Sequence, residues 1–167
     1  VYTPAWDLLW GMTSGSVGET FHLGIIIGGI FLMLTRVSDW RIPVTYIGSV
    51  FVFAFGGSIL GGLFFPSAET GAAANGLFSS SLNLGIFHVL GGGLLFGAMF
   101  MATDPVTSPF TKPGKLVFGV LCGLLTVLIR EFSGYVEGVM FSIVIMNAAA
   151  PLIDHVVLSF KYKKVET

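Results

Sequence analysis

The sequence predicts an all-α integral membrane protein built from five transmembrane helices. Three observations carry that expectation. Charged residues make up only 10% of the 167 residues and hydrophobic residues 54%, whereas a soluble domain carries about 25% charged residues. The apolar residues fall into five runs that are long enough, or nearly so, to cross a hydrocarbon core about 30 Å thick, which takes roughly 20 helical residues. Seven of the eight basic residues fall in places that can all share one side of a membrane. A mean hydropathy of +0.89 and 23 glycines also suit packed membrane helices better than a soluble core.

Taken in order, residues 3–12 are too short to span. Trp6 and Trp10 lie four apart on one helical face, which suits an interfacial helix. The expected spans are residues 19–35, 42–65, 82–103, 115–129 (a short one) and 138–160. Arg36 and Arg41 lie between the first two, Lys112 and Lys115 flank the turn between the third and fourth, and Lys161, Lys163 and Lys164 follow the fifth. Odd-numbered exits share one side, which the positive-inside rule makes the cytoplasm. The N-terminus then lies outside and the C-terminus inside. The loop at residues 66–81 has no Lys or Arg, as an outer loop should. Arg130 is the exception, and a local ion pair with Glu131 accounts for it. Residues 1–167 read as a single membrane domain, with no soluble domain or heptad repeat. Val1 in first place, with no signal peptide before the first run, reads as a fragment or a processed product.

Glycines sit four apart in Gly24/Gly28, Gly57/Gly61, Gly93/Gly97 and Gly119/Gly123, a spacing that lets helix backbones approach closely. Cys122, the single cysteine, allows no internal disulfide and reads as a small buried hydrophobe. The net charge of −1 says nothing about nucleic acid, but no basic patch with interleaved aromatics appears, and no nucleic acid is expected as a partner. The Gly91-Gly92-Gly93 run lies inside a span, so it is not a phosphate loop.

Ionisable groups in or near apolar spans are costly, so each is a functional hypothesis. Glu19 opens the first span, either as an acid favoured by the helix dipole or as a carboxylate in a polar pocket on the outer face. His22 lies one turn later and His88 inside the third span. Each is either a satisfied packing residue or a ligand, and scattered histidines form no metal-binding pattern. Asp104 ends the third span in a rigid, polar turn with Pro105 and Pro109. Asp154 lies within the fifth span after Pro151, which frees a backbone carbonyl near Asn147. Both acids lie toward the cytoplasmic side. They are either parts of a capped loop and helix or a cation entry site.

The motifs are more specific. Gly15-Ser16-Val17-Gly18-Glu19-Thr20, Ser38-Asp39-Trp40-Arg41-Ile42-Pro43 and Met101-Ala102-Thr103-Asp104-Pro105-Val106-Thr107-Ser108-Pro109 with Gly114-Lys115 recur in one membrane redox family. So do Val127-Leu128-Ile129-Arg130, Tyr135-Val136-Glu137-Gly138, Met146-Asn147-Ala148 and Pro151-Leu152-Ile153-Asp154. Nearly the whole chain resembles the C-terminal half of the D subunit of Rnf-type ferredoxin:NAD oxidoreductases. It is also similar to the B subunit of the Na+-translocating NADH:quinone reductase, and the Asp-Pro-Val-Thr-Ser-Pro turn favours the Rnf type.

The resemblance implies a ten-helix subunit of two five-helix repeats, with a fold similar to urea and ammonium transporters, of which these spans are the second repeat. It implies FMN, joined covalently in the full-length subunit to a threonine in an S-G-A-T-type motif, with riboflavin as a further flavin. Thr3, Thr13 and Thr20 do not fit that motif, so the attachment site is expected upstream of this chain. Gly15, Ser16, Gly18 and Glu19 would line the flavin pocket. Asp104 and Asp154 would serve Na+ or H+ uptake, which a change in flavin charge would couple to electron flow. The implied partners are the other membrane and peripheral subunits of the complex. The implied location is a bacterial or archaeal cytoplasmic membrane. The alternatives are one half of a passive channel or transporter of the urea or ammonium type, or a structural anchor.

Overall fold

A computed structural model of the chain describes residues 10, 20–59, 77–91, 93–133 and 138–163. They form α1 (His22–Leu34), α2 (Arg41–Ile59), α3 (Leu77–Leu90), α4 (Leu94–Phe96), α5 (Lys112–Ser133) and α6 (Gly138–Lys163). A π-helical turn over Gly97–Met101 continues α4. Among the described residues there is no strand. The chain is an all-helical, multi-pass membrane protein. Lys112–Ser133 and Gly138–Tyr162 are each long and apolar enough to cross a membrane, and the bent pair Ser81–Leu90 and Leu94–Met101 adds a third span if it is counted as one.

The helix ends follow from local chemistry. At the end of α1, Thr35 Oγ1 donates to the Phe31 and Leu32 carbonyls. Arg36 then turns left-handed, with φ of 60°. Its N–H reaches the Met33 carbonyl, while those of Val37 and Ser38 reach Leu32, so the last carbonyls of the helix are satisfied. Pro43 sits in the first turn of α2, where its missing N–H breaks no helical bond. In the π turn the Ala102 N–H reaches back five residues to the Gly97 carbonyl, at 2.8 Å.

The core lies between α2, α5 and α6, with α4 and the π turn packed on it. Ile42, Tyr46, Val50, Leu94, Ala98, Phe118, Cys122, Val127 and Ile143 are all buried there. Cys122 is thus the buried small hydrophobe that the sequence suggests. Outside this core, Ile27, Phe31, Val44, Val52, Val144 and Leu152 remain exposed, as helices facing lipid do.

The close approach of α2 and α5 depends on the Gly119/Gly123 pair. A Cβ at Gly119 would run into Thr45 Oγ1, and one at Gly123 into Ser49 Oγ, with helix backbone close behind. Ser49 Oγ donates to the Tyr46 carbonyl and reaches the Gly119 carbonyl across the interface. Nearby, the hydroxyls of Tyr46, Thr126 and Ser142 tie α2, α5 and α6 together at 2.7–2.8 Å. The other glycines behave differently. Gly97 lies against Val139 of α6, and Gly28 against Phe100 of the π turn. Gly93 has φ of 65° and starts α4. Gly61 lies outside the described residues.

Three elements differ from the sequence expectation. The third span is broken: Ser81–Leu90 and Leu94–Met101 are bent by 61° relative to each other. The fourth is longer than expected, because charges at Lys115 and Arg130 bound the apolar run without interrupting the helix. Its 22 residues measure about 33 Å. The first is shorter, with 13 residues in α1. The interfacial segment at 3–12 lies outside the described residues except for Trp10, which is exposed.

Gly123→Ala in the full-length subunit is expected to lower stability by about 1–3 kcal/mol through overpacking. A Cβ at Gly48 meets nothing within 4 Å. Gly48→Ala should therefore be neutral or stabilising by up to about 1 kcal/mol. Denaturant unfolding of both variants in detergent checks the contrast.

Candidate functional site

Gly15, Ser16, Gly18 and Glu19, the residues expected around a flavin, lie outside the described residues. Asp104 and Asp154 are described, and both act on the connection between the π turn and α5. This connection has to leave helical geometry at Pro105 and again at Pro109, which lack N–H groups.

Asp104 organises the first half of the loop. Its Oδ1 accepts from the Val106 N–H at 3.3 Å and its Oδ2 from the Thr107 hydroxyl at 3.0 Å. Its carbonyl takes the Ser108 N–H. This is an Asx turn, the local geometry that a short acid before proline favours. Asp154, on α6, holds the second half. Its Oδ2 accepts from the Phe110 N–H at 2.8 Å, and its Oδ1 from the Thr111 N–H at 3.1 Å and the Thr111 hydroxyl. Thr111 in turn caps α5, its Oγ1 accepting from the Gly114 N–H. A Cβ at Gly114 would crowd both Thr111 Oγ1 and Asp154 Oδ1, so glycine is what lets α6 bring its acid to this cap. The carboxylate also places negative charge near the N-terminus of α5. The structure therefore brings Asp104 and Asp154 to the two halves of one loop.

A third acid belongs to the same end of the bundle. Asp39, between α1 and α2, accepts from Lys115 Nζ at 2.7 Å and pairs with Arg41 at 3.3 Å. Burial pushes its carboxyl up, but the hydrogen bond and charge of Lys115 together with Arg41 outweigh that and hold it below the usual carboxylate range. The motif containing Ser38 to Pro43 and the Gly114-Lys115 pair are far apart in sequence, and nothing in either motif signals this contact.

A second polar cluster lies at the break between α3 and α4. Arg130 donates to the His88 carbonyl at 2.6 Å and to the Gly91 carbonyl at 2.9 Å. Glu131 Oε1 lies 3.2 Å from His88 Nε2. The Arg130-Glu131 pair thus reaches the backbone and side chain of another helix, beyond the local role the sequence suggests. A glycine triplet inside a span, with an arginine near the end of the next one, is the signal that could have revealed it. Among the described residues, no group of three or more His, Cys, Asp or Glu could hold a metal ion.

Asp154→Ala is expected to cost about 2 kcal/mol, since two backbone donors and a hydroxyl lose a charged acceptor. Unfolding of the full-length subunit checks it. The depressed carboxyl of Asp39 gives a pH test. Its contribution is complete above the unfolded value of about 3.9 and is lost as pH falls through the lower folded value. Thermal melts taken from neutral to acid pH should show that loss in the native protein and a shallower one in Asp39→Asn.

Comparison with known proteins gives a consistent picture. The sequence model described as "NQR2, RnfD, RnfE family" matches residues 2–163. The chain is similar to the D subunit of the proton-translocating ferredoxin:NAD(+) oxidoreductase complex of Clostridium ljungdahlii, 41% identical over 146 residues, which is 86% of this chain and 38% of that protein. It is similar to the B subunit of the Na(+)-translocating NADH-quinone reductase of Chromohalobacter salexigens, 41% identical over 160 residues, 95% of this chain and 36% of that one. The D subunit of the Na(+)-translocating ferredoxin:NAD(+) oxidoreductase complex of Acetobacterium woodii is 35% identical over 153 residues, 89% of this chain and 40% of that one. The chain therefore spans well under half the length of these relatives. With a match to the family's sequence model over nearly its whole length, this chain belongs to the NQR2, RnfD, RnfE family.

Proposed function

We propose that this chain is part of the membrane subunit of a redox-driven, ion-translocating electron-transfer complex of the ferredoxin:NAD or NADH:quinone type. The observation that carries the reading is similarity over 86–95% of the chain to subunits whose names couple such oxidoreductases to ion translocation. The chain would form one five-helix repeat of a ten-helix fold of the urea and ammonium transporter kind. It would lie in a bacterial or archaeal cytoplasmic membrane with its C-terminus inside. The broken α3–α4 pair supports this fold, since discontinuous helices are common where transporters bind their cargo.

Within this reading the complete subunit carries covalent FMN, with riboflavin as a further flavin, and the flavin supplies the redox chemistry. Gly15, Ser16, Gly18 and Glu19 line its pocket on the outer face. Asp104 and Asp154 take up Na+ or H+ from the cytoplasmic side. Both are half-buried and held in place by fixed donors, and carboxylate oxygens bind hard cations while retaining lone pairs for further partners. Pro151 has no N–H for the Asn147 carbonyl four residues before it, and the buried Asn147 Oδ1 has no hydrogen-bond partner. Asn147 lies two helical turns from Asp154 on the same face of α6 and so offers oxygens farther along the membrane.

Two experiments test the reading. Denaturing gels of the full-length subunit and of this chain should show flavin fluorescence in the subunit and none in the chain. A dark full-length band, with flavin loading intact, would favour the passive transporter instead. Asp154→Asn in the assembled complex should raise the cation concentration for half-maximal transport about tenfold, equivalent to 1.4 kcal/mol. Unchanged transport by an intact Asp104→Asn or Asp154→Asn complex removes the cation assignment for that residue.

A further inference from the structure

The end of α1, the starts of α2 and α5 and the loop between the π turn and α5 surround a cleft of about 580 Å³. Four cationic residues line it, namely Arg36, Arg41, Lys112 and Lys115, with Asp39 as the one lining carboxylate. Asp39 is engaged by Lys115 and Arg41. Among the described residues, neither Arg36 nor Lys112 has a carboxylate at ion-pair distance.

This excess of positive charge opposes the local backbone. Arg41 opens α2 and Lys112 opens α5, and neither helix has an acid in its first turn. A helix N-terminus is already positive, so basic side chains there add to its pull on an anion. Asp154 meets part of that at α5 through the Phe110 and Thr111 N–H groups, while Arg36 and Lys112 keep their charges toward the cleft. Arg36 occupies a left-handed backbone position where glycine would sit more easily, which keeps a guanidinium at the edge of the cleft.

An independent observation comes from Ser38. It lines the cleft, is only 8% exposed, and its Oγ has no hydrogen-bond partner. A buried hydroxyl without a partner is costly, and a bound oxyanion would accept a hydrogen bond from it. The rim is apolar and exposed: Trp40 is 56% and Val37 63% accessible, and the Arg41 guanidinium lies 5.5 Å from the Trp40 ring centroid. Tryptophan at this level is typical of the zone where headgroups meet acyl chains.

We propose that this cleft binds the phosphate of an anionic phospholipid headgroup. Arg36 and Lys112 supply the charge, Ser38 Oγ donates a hydrogen bond, and the acyl chains run over Val37 and Trp40. A free phosphate would satisfy the cations, but it leaves the apolar rim bare, so the lipid is the better match. Basic pockets between membrane helices recognise headgroups in this way. The proposal requires the membrane location of the chain and is independent of the flavin and cation assignments.

The test uses the full-length subunit in its purified, delipidated complex, with lipid binding followed by native mass spectrometry. Phosphatidylglycerol is the probe, phosphatidylcholine the zwitterionic control and inorganic phosphate the free-anion arm. The native complex should hold a phosphatidylglycerol that phosphatidylcholine and millimolar phosphate do not displace. Its affinity should fall at least about tenfold in Arg36→Gln/Lys112→Gln and measurably in Ser38→Ala. Ser38→Ala breaks no existing hydrogen bond, so it keeps the test available if the charge variant fails to assemble. Unchanged phosphatidylglycerol binding in these variants overturns the proposal. Displacement by millimolar phosphate overturns the lipid as source and leaves a free-phosphate site. A photo-reactive residue at position 37 that crosslinks to protein instead of lipid overturns it in favour of a polypeptide occupant.

Discussion

Backbone polar groups inside an apolar medium have to be satisfied, and most of the structure follows from how this chain satisfies them. A continuous helix does so by itself. Wherever the chain leaves the helix, a side chain or an unusual backbone turn replaces the missing partner. Arg130 takes the carbonyls released at the α3–α4 break. Asp104 and Asp154 collect N–H groups that follow each of the loop's two prolines. The left-handed Arg36 closes α1, and a five-residue bond closes the π turn. Several of the chain's few charges are therefore structural, and they sit where a transport pathway would also need polar groups.

The helical, membrane-spanning character was legible from hydropathy and charge placement, because burial in lipid acts on every residue of a span. The Gly119/Gly123 stripe was legible for a similar reason: small residues four apart on one helix allow close approach, and Thr45 and Ser49 use that space. The break between α3 and α4 was signalled only ambiguously. A glycine run inside a span reads equally well as packing, and the guanidinium that stabilises the bend is 39 residues from Gly91 in sequence. The length of α5 was hidden because hydropathy ends at a charge, while a helix needs only backbone partners.

The acids at the lysine-rich end show the same division. That Asp104 belongs to a rigid turn could be read from its prolines and hydroxyls, since an Asx turn is a local event. That Asp154 holds the other half of the same loop could not, since its partners lie 43 and 44 residues away. The same holds for the contact between Asp39 and Lys115, 76 residues apart. Together these contacts tie the start of α2, α5, α6 and the loop to one another at one end of the bundle.

The hydroxyls of Tyr46, Thr126 and Ser142 have a further consequence. Thr126 and Ser142 also contact the Cys122 and Val139 carbonyls, so three protons serve five short contacts. Some of these contacts have no proton of their own, and more than one arrangement of the three protons satisfies the same heavy-atom positions. All three residues are fully buried, so these protons can reorder among themselves but can exchange with water only when the α2, α5 and α6 interface opens. The centre of the bundle thus holds a small reservoir of orientational entropy, and its isotope exchange would act as a clock for the rarest motions of the core.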